Sequence, residues 1–273
     1  MIARRRKTPQ GQFCARVICM PESHDKLTIA SFAVIAAVLT SLLHEGLGHA
    51  VVAWLRADGV TQLTSNHVST MRADRLVDAG GTLVNLVAGA ACVFLSQRMG
   101  RRANLRYFLW FLGAGNLLLG TGYFLFSGIL GLGDWAQFID GFPYQAAIRI
   151  GMALMGAGLY YMCVGWMARA VHPFAPNPTA YNVACRIPYY AACVAWCVAG
   201  AFDPLGIKLM FLSTIPASFG GMSGLMWGDS LMPKAQPGLL LVVRRSPVVW
   251  LIAAVLGVAF VLTVGRGINF TSS

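Results

Sequence analysis

The chain has 273 residues, 57% of them hydrophobic and 11% charged, with a mean hydropathy of +0.63 and a formal net charge of +11. A soluble domain carries roughly 25% charged residues, so this composition cannot cover a water-facing surface and excludes an ordinary soluble enzyme. The apolar residues come in blocks: positions 27–55 hold one charged side chain, Glu45, and positions 107–133 hold none. Runs of about 18 apolar residues or more are long enough to cross a hydrocarbon core. The expected fold is all-α, a polytopic transmembrane helix bundle of about six to seven membrane helices.

The chain opens with a basic stretch, Met1–Lys26, that carries Arg4, Arg5, Arg6, Lys7, Arg16 and Lys26. Polar residues stand where a signal peptide would have its apolar core, so 1–27 is expected to be a cytoplasmic tail. Cys14 and Cys19 on this tail lack the second pair that a zinc knuckle needs. The other cysteines lie in or beside apolar runs and read as small apolar side chains. Hydrophobic segments follow at about 28–55, 77–97, 107–131, 150–168, 187–202, 208–227 and 247–265, the fifth being short and carrying Pro188. With the N-terminus in the cytoplasm, the inner segments are 1–27, 98–106, 169–186 and 228–246. Most of the Lys and Arg fall there, and the outer loop 132–148 has none, which is the positive-inside asymmetry. The basic residues therefore read as anchors at an anionic inner leaflet, and no aromatic-interleaved basic motif points to nucleic acid. The expected setting is a multi-pass protein of the cell membrane, a bacterial inner membrane by the compact, loop-poor layout. The bilayer is its first partner, and the oligomeric state is left open.

Ionisable groups within a membrane helix cost about 2.5–3.5 kcal/mol each on insertion scales, which makes them functional candidates. The first segment carries a cluster of them, His44-Glu45-Gly46-Leu47-Gly48-His49. A lone histidine here would read as helix-packing glue. Two histidines beside a carboxylate read instead as a metal or acid/base site. Neutral imidazole is a good zinc ligand, and a nearby carboxylate can take a proton from water.

The stretch LLHEGLGHAVVAWL resembles the HExxH helix of the site-2 protease family of intramembrane zinc metalloproteases, commonly written HELGHA. AGGTLVNLVAGA is similar to that family's second-helix AGPxxN pattern, with Thr82 where proline is usual and Asn85 in register. LFSGILGLGDW resembles a degenerate LFNLLPxxxLDG segment, with Ser127 near the asparagine and Asp134 near the metal-binding aspartate. The resemblance covers about residues 38–135. It implies a three-helix membrane core over 28–135, followed by membrane helices over 136–273 of unknown role. It also implies zinc held by His44, His49 and Asp134, Glu45 as the catalytic base, and Asn85 as a substrate-positioning amide. Asp140, which begins a true Asp-Gly, and His67 on the first outer loop are reserve candidates for the third ligand.

One departure decides how this cluster works. The family places two residues between the glutamate and the second histidine, whereas this chain places three. Positions i and i+4 lie about 40° apart on an α-helix, but i and i+5 lie about 140° apart. A π-bulge, which adds a residue to one turn and recurs at functional sites, would return His44 and His49 to one face. Their coordinating nitrogens should then lie within about 4 Å of each other. Alternatively, Glu45 and His49 become the ligands and the base is lost. Two functions stay open on this count. One is a membrane-embedded zinc metallopeptidase that hydrolyses membrane protein segments. The other is a non-catalytic metal-binding or transport-related protein built on the same core. A histidine-rich diiron oxidase is disfavoured, because the whole chain has only 5 histidines.

Overall fold

The structure is a computed structural model that describes residues 23–233 and 239–270. The basic residues before position 23, with Cys14 and Cys19, lie outside the described residues, as do 234–238. Among the described residues, eight helices follow one another: α1 Lys26–Leu55, α2 Arg75–Arg98, α3 Ala103–Leu130, the short α4 Asp134–Phe138, α5 Gln145–Val171, α6 Pro178–Gly200, α7 Ile207–Leu231 and α8 Pro247–Gly265. All except α4 are long and apolar enough to cross a membrane. The described residues also hold three short strands, β1 Val60–Leu63 and β2 Val68–Thr70 between α1 and α2, and β3 Ile268–Asn269 after α8. They form an antiparallel sheet in the order β2-β1-β3.

The helices begin and bend where local chemistry allows. Asp25 caps α1 by accepting from the Thr28 N–H, and Asp74 caps α2 by accepting from the Leu76 N–H. The fifth spanning helix starts at Pro178 rather than near 187. Asn177 caps it, and Pro178 sits in its first turn, where no N–H is needed. Pro188, which lacks a donor for the helix ladder, is preceded by a π turn over Asn182–Arg186 that takes up the irregularity.

The core lies around α3, whose Tyr107, Trp110, Phe111 and Leu118 are fully enclosed by α1, α2, α5 and α6. Outward faces are apolar too. Val248, Leu251, Val255 and Val258 on α8, and Ile150, Leu154 and Met162 on α5, are all exposed. A water-soluble helix would carry polar residues on that side.

The contacts at the helix ends fix the relative directions of the helices. At one end, His24 and Asp25 ahead of α1 bond to Phe174 after α5 and Val243 before α8, and Asn104 in α3 clasps the backbone of Arg244. At the other end, β1 after α1 pairs with β3 after α8, and Asn66 bonds to Asp203 between α6 and α7. Arg98, Arg101, Arg102, Arg169, Arg186, Arg244 and Arg245 fall at or near the first end. The second end is where the His-Glu-His turn, α4 and the sheet meet.

Candidate metal centre

The backbone of α1 changes pitch at the motif. Leu42–Ala50 is a nine-residue π-helical segment with α-helix on both sides. The wider turn places residues five apart on one face, and His44 and His49 stand with their Nε2 atoms 3.2 Å apart. Room for the two rings comes from α2. Gly48 meets Gly80 and Gly81 so closely that a Cβ at any of the three would strike the opposing backbone or the imidazoles. At Gly81 the obstructing atoms are His49 Nε2 and His44 Nε2 themselves.

Asp134 completes the group from α4. Its Oδ2 lies 3.2 Å from His44 Nε2 and 3.3 Å from His49 Nε2. The chain reaches this position through Gly131 and Gly133, both at positive φ, immediately after α3. His49 Nδ1 donates to the Val77 carbonyl at 2.6 Å, which fixes its tautomer and leaves the Nε2 lone pair facing inward. Asp134 Oδ2 is buried without a hydrogen-bond partner. Three ligand atoms thus form a nearly equilateral triangle. Four ligands at about 2.0–2.1 Å around a tetrahedral ion would be separated by about 3.3–3.4 Å, so the triangle fits one face of such a site.

Asn85, on α2, places its side-chain amide nitrogen 3.1 Å from His44 Nδ1, while its own Oδ1 is buried and unpaired. A half-turn of the amide would let Oδ1 accept from Nδ1–H, the tautomer that frees His44 Nε2 for a metal. Glu45 stands outside the converging trio. It is buried, its Oε2 has no partner, and it lines a cavity of about 60 Å³ together with His44, Asn85, Tyr123, Asn66 and Thr214. A cavity of this size with polar walls has room for water.

The reserve ligands are engaged elsewhere. Asp140 is exposed, and its carboxylate accepts from the Gly141 N–H. His67 lies 3.6 Å from Asp203 and shares a network with Thr64 and Gln62 that ties the loop between α1 and α2 to the α6–α7 turn. Burial raises the Asp203 carboxyl, and hydrogen bonds from His67, the Leu205 N–H, Thr64 and Asn66 bring it below the ordinary value. Asn116 bonds to Thr40 and to the Leu112 carbonyl, a packing arrangement away from the trio.

Sequence reasoning did not find the Val77 carbonyl, the Gly81 clearance or Tyr123, whose ring lies 5.1 Å from that of His44. The Gly80-Gly81 pair was the available signal for close helix approach. A backbone carbonyl leaves no trace in residue identity. No protein-family model, curated protein or solved structure matches the chain.

Proposed function

We propose that this chain is a multi-pass, membrane-embedded zinc metallopeptidase that hydrolyses membrane protein segments. The carrying observation is the π segment Leu42–Ala50, which gathers His44 and His49 toward Asp134 while leaving Glu45 out of the trio. In this reading His44, His49 and Asp134 hold the metal. Zinc, when bound, supplies Lewis acidity and an acidified water. Glu45, buried beside the cavity, takes the proton from attacking water and delivers it to the leaving amine nitrogen. Asn85 and the Val77 carbonyl hold the two imidazoles in their ligand tautomers. Burial of Glu45 within an apolar bundle restricts water to the small polar cavity. The substrate class that suits this is an apolar segment unwound enough to present its backbone. The bilayer is the medium, with the N-terminus on the cytoplasmic side. A bacterial inner membrane suits the loop-poor architecture.

The test compares the wild type with Glu45→Gln. The wild type should hold about one zinc per chain, and the variant should keep the metal while cleavage of an unwound membrane segment falls by about 10²–10⁴-fold. Loss of metal in Glu45→Gln alone would make Glu45 a ligand and remove the base role. A wild type that holds zinc without hydrolysing any such segment would leave the non-catalytic metal-binding reading. A wild type without metal would end both.

A further inference from the structure

Asp134 stands on a five-residue helix that follows two positive-φ glycines, so its position needs an external support. That support comes from α2. The indole N–H of Trp135 donates to the hydroxyl of Thr82 at 3.0 Å, and Thr82 is fully buried. Two helical turns earlier on α2, Arg75 donates to the carbonyls of Phe138, the last residue of α4, and Asp140, two residues beyond it, at 3.0 and 2.9 Å. The Trp135 ring also lies against Phe124 of α3, with centroids 4.6 Å apart. Thr82 is adjacent to Gly81, whose bare Cα faces both imidazoles. One stretch of α2 therefore meets the histidines directly and grips the residue next to Asp134.

We propose that Thr82 and Trp135 are a positioning pair that fixes the Asp134 carboxylate at the third corner of the metal trio. These are the two residues at which the chain departs from the Pro and the Asp-Gly of the pattern it resembles, and here they bond to each other. The departures are thus one compensated unit rather than two losses. The inference rests on the metal-site reading above and adds to it the residues that orient the carboxylate.

The test is a cobalt(II) titration of the full-length, metal-stripped protein in lipid nanodiscs, read by visible absorption. Thr82→Val, which keeps shape and removes the hydroxyl, and Trp135→Phe, which removes the N–H, should each weaken cobalt binding by about 10–100-fold. Their absorption bands should shift from that of the wild type. The double variant should be no worse than either single one, and Thr82→Ser should restore both affinity and spectrum. Metal-free Thr82→Val should lower the thermal midpoint by no more than a few degrees, the cost of one lost hydrogen bond. Wild-type cobalt affinity in Thr82→Val would overturn the proposal. So would multiplying losses in the double variant, or a metal-free midpoint lowered by far more than a few degrees, since either would assign the pair to packing. A wild type that takes up no cobalt would overturn the metal reading itself.

Discussion

The π segment over Leu42–Ala50 and the π turn over Asn182–Arg186 are the same kind of deformation with different causes. The second spans five residues and immediately precedes Ile187-Pro188, where the helix ladder lacks a donor. Its irregularity has a local covalent origin. The first spans nine residues and contains no proline, and helix continues on both sides. What holds it is tertiary: the Gly48 contact with Gly80 and Gly81, the Val77 carbonyl on His49, and the Asn85 amide on His44. A widened turn without a local cause, lined by ionisable side chains, is the one that signals chemistry.

The comparison can be broken at its tertiary support first. Gly81→Ala should have the largest effect, because its methyl would stand where the two Nε2 atoms meet. Zinc content after dialysis should fall below about a tenth of wild type, and overpacking should lower stability by about 1–3 kcal/mol. Normal zinc retention in this variant would show that α2 does not set the spacing of the rings.

A sharper test removes the extra residue. Deleting Leu47, which faces outward, leaves two residues between Glu45 and His49 and lets a regular α-helix carry the histidines at i and i+4. Zinc stoichiometry should stay near that of wild type, and the affinity should change by less than about tenfold, well short of the loss of an entire ligand. Complete loss of metal would mean that the π turn does more than restore register. At the Asn182–Arg186 turn, Pro188→Ala should leave zinc binding unchanged and shift the thermal midpoint by a few degrees, the equivalent of about 1 kcal/mol. A large fall in zinc content there would erase the distinction between the two turns.

The spanning segments were legible because charge is so sparse. Glu45 alone interrupts 27–55, and nothing interrupts 107–133. Segment ends were less legible, as at α6, where Asn177 and Pro178 start the helix in a polar stretch that hydropathy passes over. The His-Glu-His cluster was visible as misplaced polarity, yet its spacing left two geometries open, since helix pitch is not written in residue types. The three-stranded sheet was missed. Its strands are two to four residues long, and β3 lies far along the chain from β1. The link between Thr82 and Trp135 joins positions in separate motifs, each of which reads alone as a mismatch.

The pairing of β1 with β3 has a consequence for assembly. β1 can meet β2 as a local hairpin soon after α1 is made, but its other edge waits for Ile268 and Asn269. The bond from Gln62 to Asn269 spans 207 positions of sequence. During vectorial synthesis, the loop beside the His44–His49–Asp134 cluster therefore keeps an open strand edge, which is prone to mispairing, until α8 has been threaded. A chain truncated after Phe260 would retain His44, Glu45, His49 and Asp134 but expose that edge, so the last stretch of the polypeptide acts as the latch of a site built almost wholly from the first half.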